Sequence, residues 1–363
     1  MKDTRTEVEV DWTDPFAELI HSFVAQEFPV VVKSEGERLD IVSRILLGTK
    51  DTRFGPLPSP EAHVAIRKII SNYMEKNVPI QLLTPWGGVK ANFPAPLDIA
   101  ELAALKRMAC LSESIRLYYE PGIRIHIRVE DTGARILWGE DIGVYVDSYS
   151  NSFRNLSRAL GYSDFIHPVP ESMMGMDKQF KATVESMKPL FFEYLRQSDM
   201  LGMSQFADIP TLQKLTAMGW KGNIPAAMRK YYYDRYHNLG IHSLLDKQAS
   251  LATYLASAFA RKRLNLDGYG ADVEFIKLNF QPPVPGASET LASIYYRTIP
   301  SRMTRNHIAP WRGRGFLMLS PDGVNFKIAN WDEARGLELN PFQLHFKNEE
   351  AEAFVNADYL VTD

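Results

Sequence analysis

Cysteine is almost missing: a chain of 363 residues holds a single one, Cys110. No intrachain disulfide can form, so the fold must rest on its core in a reducing compartment, and a thiol in mid-helix among apolar neighbours suits an inert buried role better than a catalytic one. No apolar run approaches the roughly 18 residues that span a bilayer. The opening, MKDTRTEVEVDW, is charged and lacks the apolar stretch of a secretory leader. The expectation is a soluble, cytoplasmic protein with no membrane partner. An excess of one charge is lacking too. Lys and Arg total 41 against 44 Asp and Glu, for a net charge of −3 and a pI near 6.3, so no global attraction draws nucleic acid. Tyr231 to His237 mixes aromatics and charge, but at helical spacing this reads as one buried and one wet face rather than a base-stacking surface.

Recognisable cofactor signatures are also missing. There is no G-x-G-x-x-G after a strand, no G-x-x-x-x-G-K-S/T, no G-x-S-x-G elbow and no S-x-x-K. Nucleotide cofactors and acyl-enzyme chemistry are therefore disfavoured. The 8 histidines show no zinc or two-His-one-carboxylate spacing. Neither a metal nor another cofactor is expected.

Apolar residues are plentiful at 45%, and the length exceeds one ordinary core. One large α/β domain with an accessory helical part, or two domains, is expected. Helical periodicity marks Phe16 to Phe28, Leu39 to Leu47, Glu61 to Glu75, Asp147 to Leu160, Lys178 to Arg196, Ile224 to Tyr236 and Ser243 to Arg263. Strand-like segments are Arg135 to Trp138, Leu291 to Thr298, Gly315 to Leu319 and Val324 to Ala329, with a Gly/Pro linker over Asp267 to Gly286. Arg261-Lys262-Arg263 at a helix end is explained by the helix dipole. This divides the chain into an α/β core with N-terminal helices (1–170), a helical lid or accessory region (171–266) and C-terminal strands that complete the core (267–363).

The most informative stretch is Pro79 to Asp141. Ile80-Gln81-Leu82-Leu83 reads as a strand ending in the loop Thr84-Pro85-Trp86-Gly87-Gly88, which carries Lys90. Asp98 then N-caps a helix, with Glu101 as capping-box partner and Leu102, Leu105, Ala109, Ile115 and Tyr119 at helical spacing. After Pro121-Gly122 comes a period-2 run: Ile123, Ile125, Ile127 and Val129 on one face, Arg124, His126 and Arg128 on the other. Strand, helix and strand make a right-handed crossover in a mostly parallel, Rossmann-like sheet, whose ligands lie beyond the carboxyl ends of the strands. The late segments predict a C-terminal hairpin on that sheet. Between the last strands runs a basic segment with Arg297, Arg302, Arg305, His307, Arg312 and Arg314.

The same residues resemble the isonitrile (isocyanide) synthases of the pyoverdine/dityrosine biosynthesis family. Pro79, Ile80, Leu83, Pro85, Lys90, Pro96, Asp98, Glu101, Ala104, Leu105, Tyr119, Pro121 and Gly122 follow that family's strand, lysine loop, helix and Y-x-P-G turn. Ala309-Pro310-Trp311-Arg312-Gly313, Phe316 to Leu319 and Pro321-Asp322-Gly323 resemble its late T-P-W-H-G segment. Departures are those of a divergent member: Arg312 replaces a histidine, Glu130-Asp131-Thr132-Gly133 lengthens a serine-aspartate-glycine turn, and Tyr295 to Pro300 only loosely follows Arg-x-Ser-Ile-His.

The resemblance implies an enzyme that joins an α-amino acid, tyrosine or tryptophan, to ribulose 5-phosphate and leaves one carbon on nitrogen as an isonitrile. Such chemistry needs a phosphate clamp, a proton carrier and a carboxylate to hold the amine. Lys90 would contact phosphate or carry protons, against the plainer reading of an exposed loop lysine; Arg312 and Arg314, with Arg305 in reserve, would bind phosphate or the amino-acid carboxylate, against that of a solvated basic loop. His126 is a candidate base, against the plainer reading of a surface histidine on an alternating strand. Asp141 would orient the amine or merely close a turn, with equal weight. Trp86 and Trp311 would wall an aromatic side chain, though core packing explains a lone tryptophan as well. The alternatives are a related enzyme acting on another amine or phosphosugar, and a non-catalytic binder of sugar phosphate or amino acid. The partners are the two small substrates, and a homodimer is compatible with the sequence.

Overall fold

The computed structural model describes residues 34–50, 52–54, 58–86, 99–139, 142–201, 210–220, 224–238, 240–264, 273–280, 292–297, 316–319 and 326–329, with residues 32 and 266. Helices α1 (Glu35–Leu47) and α2 (Pro60–Glu75) start at serine caps: Ser34 Oγ accepts from Glu37 N and Ser59 Oγ from Ala62 N, each at 3.2 Å. Pro60 at the first helical position loses nothing, because its missing N–H would have no partner in that turn.

Strand β1 (Ile80–Trp86), helix α3 (Ile99–Arg116) and strand β2 (Ile123–Val129) form the crossover that the sequence predicts, with β1 and β2 parallel and Ile80 opposite Ile123. The intervening turn needs its glycine, since Gly122 has φ +67°. Tyr119 anchors the turn through its hydroxyl, which donates to Val78 O at 2.7 Å. After β2 come α4 (Asp131–Trp138), α5 (Ile142–Ala159) and β3 (Ile166–Pro170). Then follow α6 (Asp177–Leu201), α7 (Pro210–Ala217), α8 (Ala226–Asn238) and α9 (Leu244–Arg263), before β4 (Ile276–Asn279) and β5 (Ser293–Tyr295).

The sheet order is β3-β2-β1-β4-β5, all parallel. Strands are added outward from β1 to β3, and the chain then returns to place β4 on the other side of β1. That reversal makes the β1/β4 junction the switch point, beside which open α/β sheets bind ligands. One sheet face is apolar: Ile80, Leu82, Trp86, Ile123, Ile125, Ile127, Ile276 and Leu278 pack into one core with α1, α2, α3 and α5. The register puts Gln81, Leu83, Arg124, His126, Arg128, His167 and Lys277 on the opposite face. Helices α6 to α9 close around a second core built on Phe180, Phe191, Tyr194, Tyr232 and Phe259.

Five readings need correction. Arg135 to Trp138 is helical, not a strand: so short an apolar run has no readable period, and Asp131 in the first turn favours a helix by its charge at the positive dipole end. The following helix begins at Ile142, ahead of Asp147. The presumed Gly/Pro linker contains β4. β3 was not foreseen because Pro168 and Pro170 argue against a strand; as an edge strand paired only with β2 it tolerates them. The predicted hairpin is present as β6 (Phe316–Leu319) and β7 (Phe326–Ala329), but it forms an antiparallel sheet of its own, with β6 beside α3. The region Phe16 to Phe28 lies outside the described residues. No helix among the described residues is long and apolar enough to cross a membrane.

Candidate active site

At the carboxyl ends of β2, β3 and β4 the polar sheet face carries a compact set of charges. Glu130 follows β2 directly, and its backbone N–H donates to Trp86 O at 2.9 Å, which extends the ladder and holds Glu130 beside the end of β1. Glu171 begins the turn after β3 and is 2% exposed. Arg128 joins the two carboxylates, with Nη2 2.9 Å from Glu130 Oε1 and Nε 3.5 Å from Glu171 Oε1. From the last turn of α9, Arg261 donates through Nε and Nη2 to the two oxygens of Glu171, and its Nε lies 3.8 Å from Glu130 Oε1. Burial works against its charge, but Glu130 and Glu171 hold the Arg261 guanidinium above its ordinary value. Charge-assisted forks of this kind fix geometry as well as charge. The helix-dipole explanation of Arg261 is therefore incomplete: its side chain ties the helical bundle to the sheet.

Lys277 lies on β4 opposite Leu83 of β1, one strand from His126. Burial, with Arg128 adding repulsion, pushes its ammonium down to about 8, while Glu130 acts the other way. A lysine that titrates near neutrality can both give and take a proton there. Glu130 and Lys277 are the more open members of the set, and Arg128, Glu171 and Arg261 form its buried backing. Behind them, Asp131 accepts from Ser172 N at 3.1 Å and from the Ser172 hydroxyl, and lies 3.3 Å from Arg135 Nη1.

His126 is half-buried. Gln81 donates through Nε2 to Pro79 O at 2.7 Å, which leaves Gln81 Oε1 to accept from His126 Nε2 at 2.7 Å. Burial, with His167 and Arg124 adding positive charge, lowers the ring to about 4. It is neutral and only weakly basic at pH 7, so Lys277 is better matched to proton transfer there. Trp86 is fully buried on the apolar face: its indole N–H donates to Tyr149 OH at 2.6 Å, the Tyr149 hydroxyl donates to Glu101 at 3.0 Å, and Phe153 and Phe280 pack against its rings. Core packing accounts for it. Lys90, Asp141, Arg305, Trp311, Arg312 and Arg314 lie outside the described residues. The strands that precede the two predicted loops, β1 and β5, both end at this carboxyl edge.

Sequence reasoning missed Lys277, Glu130, Glu171 and Arg261. The only available signal for the first was the alternation Ile276-Lys277-Leu278-Asn279, and for Glu130 its place directly after the clearest strand. Among the described residues no group of three His, Cys, Asp or Glu side chains is placed to hold a metal ion.

Together, fold and site define an α/β protein built on a five-stranded parallel sheet flanked by helices, with an ionic site at its carboxyl edge. The fold is shared with the PvcA protein of Pseudomonas aeruginosa, whose crystal structure matches with a TM-score of 0.53 at 16% identity, over 86% of this chain and 97% of that one. Tyrosyl-tRNA synthetase from Archaeoglobus fulgidus, solved with L-tyrosine, matches at 13% identity over 64% of this chain and 60% of that one, with a TM-score of 0.28, too low to support any conclusion. No protein-family model matches the sequence, and no curated protein matches it.

Proposed function

We propose that the chain is an isonitrile synthase-like enzyme that condenses an α-amino acid, tyrosine or tryptophan, with ribulose 5-phosphate. The observation that carries this reading is the placement of Lys277 on β4 at the switch point of the sheet, beside Arg128 and Glu130, where burial pushes its ammonium down to about 8. Condensation of an amine with a ketone, followed by loss of phosphate and of the remaining carbons, requires repeated proton transfers near pH 7, which such a lysine supports. Two further observations agree. The residues from Pro79 to Gly122 follow the motif order of the isonitrile synthase family, and the fold is shared with the PvcA protein.

In this reading Lys277 carries protons and Glu130, the more open carboxylate, holds the substrate ammonium, with Asp141 as a second candidate for that role. Lys90, Arg305, Arg312 and Arg314 receive the anionic groups of the substrates, and Trp311 walls the amino-acid side chain. A second reading, a related enzyme that uses another amine or phosphosugar, is favoured by one observation: Arg312 stands where the family's segment has histidine. Incubation with ribulose 5-phosphate and each amino acid separates the cases. Inorganic phosphate released only when both substrates are present, with an isonitrile infrared band in the product, supports the first reading. Release with other amines alone supports the second, and binding without release leaves a non-catalytic binder.

A further inference from the structure

On the apolar side of the same carboxyl edge lies a second group of polar side chains, two of which, Arg53 and Tyr296, hold buried polar atoms without a hydrogen-bond partner. The segment Thr52 to Phe54 runs antiparallel to the end of β5. Arg53 pairs with Tyr296 in an isolated bridge, Phe54 N donates to Tyr295 O at 2.8 Å, and Arg297 N donates to Thr52 O at 2.9 Å. This pairing fixes Arg53 and Tyr296 against each other. Arg53 is only 4% exposed, yet its Nε and Nη1 have no hydrogen-bond partner, and Tyr296 is fully buried with its hydroxyl equally unsatisfied. Burial of a guanidinium without a counter-charge is costly, and an arriving anion is one arrangement that offsets that cost.

Other groups converge on the same spot. From α3, the buried Arg107 places its guanidinium carbon 4.8 Å from the centre of the Tyr296 ring. A Cβ built on Gly48 would meet Thr52 Oγ1 at 2.9 Å, Tyr296 Cε1 at 3.4 Å and Arg107 Nη2 at 3.8 Å, so a loop hydroxyl, the tyrosine ring and the second guanidinium all border one point. Thr49 Oγ1 lies 3.2 Å from Thr52 Oγ1 and adds another hydroxyl. Burial lowers both arginines from their ordinary values, with Tyr296 opposing the shift in each.

We propose that Arg53, Arg107, Tyr296 and the hydroxyls of Thr49 and Thr52 form an oxyanion cradle that takes the phosphate monoester of the co-substrate. The unpartnered Nε and Nη1 of Arg53 give a forked, charge-assisted pair of donors that matches two oxygens of a phosphomonoester, and the Tyr296 hydroxyl supplies a further donor beside them. The site lies where β5 ends, next to β4: the rings of Phe280 and Tyr296 are 6.0 Å apart. The assignment of this phosphate to a phosphosugar rests on the reaction proposed above. It leaves Arg312 and Arg314 for the amino-acid carboxylate.

The test is titration of the full chain with inorganic phosphate and with ribulose 5-phosphate, ribose serving as the uncharged control, followed by calorimetry and thermal midpoint. The midpoint of the wild type should rise with both phosphates and not with ribose. Tighter binding of the phosphosugar marks the monoester as the natural occupant, and equal binding marks phosphate itself. Arg53→Gln should keep or raise the ligand-free midpoint and lose the rise. Tyr296→Phe, nearly isosteric and independent of any folding effect at Arg53, should weaken phosphate binding by about tenfold, as loss of a hydrogen bond to a charged group does. An unshifted wild type, or variants that bind as tightly as it does, would overturn the cradle. The two proposals fail separately. Arg53-dependent binding without isonitrile refutes the reaction alone, whereas isonitrile formed by Arg53→Gln with an unchanged KM for the phosphosugar refutes the cradle alone.

Discussion

Gly133 and Arg261 approach so closely that a Cβ on Gly133 would lie 2.2 Å from Arg261 Nη2. The guanidinium has little room to retreat, because Glu171 holds it and the Phe180 ring lies 5.5 Å from its central carbon. Gly133→Ala should therefore lower stability by about 1–3 kcal/mol, the usual cost of forcing an extra methyl into a packed site. Urea denaturation measures it, and an unchanged midpoint would mean that α4 and α9 are not tied through this contact.

Arg261 reaches Glu171 from an element remote in sequence, and both side chains are buried. Removal of one partner of such a pair leaves the other charge without compensation, at about 3–5 kcal/mol. Arg261→Met should lose that much and speed amide hydrogen exchange in α6 and α9 more than in β1 and β2. A uniform change across the chain would contradict its role as the link between bundle and sheet.

Lys277 makes two predictions with opposite outcomes for stability and activity. Its pKa in the fold, about 8, is below the ordinary 10.5. Between those values the unfolded chain binds more protons, so stability rises with pH across that window, and below pH 8 the buried ammonium opposes folding in full. Lys277→Met should be more stable than wild type at pH 7, with the advantage shrinking toward pH 10.5. The same variant should lose about 10²-fold or more in turnover. Glu130 raises the lysine. Glu130→Gln should therefore move the acid limb of kcat/KM below its position near pH 8, and an unmoved limb would remove Lys277 from the proton-transfer role.

His126 takes up its proton at lower pH than a surface histidine does. Its neighbours are Gln81, which accepts its Nε2–H, the His167 ring at 5.8 Å, the Phe275 ring at 5.3 Å and the positive charge of Arg124. Lowered from 6.5 to about 4, it binds fewer protons than the unfolded chain in that window, so stability is lost as pH falls from 6.5 toward 4. Ring nitrogen shifts in an NMR titration should show a neutral Nε2–H imidazole at pH 5.5. A protonated ring there would contradict the placement.

Much of the fold was legible in local pattern. The crossover from Ile80 to Val129 and most helices carry enough consecutive periods to be read, and Cys110 is buried with its thiol pushed up to about 11 by burial, as its apolar surroundings imply. The rest depends on depth and long-range pairing, which periodicity does not encode. Alternation assigned Arg128 to the polar face but not to the interior, where it is 5% exposed. β4 has only four residues within a Gly/Pro-rich stretch, too few for a period to stand out. Glu171 and Arg261 belong to one site only because α9 returns to the sheet edge.

The account centres on carbon–nitrogen chemistry at the edge where Lys277, Glu130 and the Arg53 cradle lie. Ribulose 5-phosphate labelled with ¹³C at its ketone carbon, incubated with tyrosine or tryptophan and followed by ¹³C NMR, tests this most directly. The account predicts that the label appears in the isonitrile carbon of the amino-acid product with wild type and is absent with Lys277→Met. Label that stays in the sugar with wild type, or an isonitrile formed equally by the variant, would contradict it.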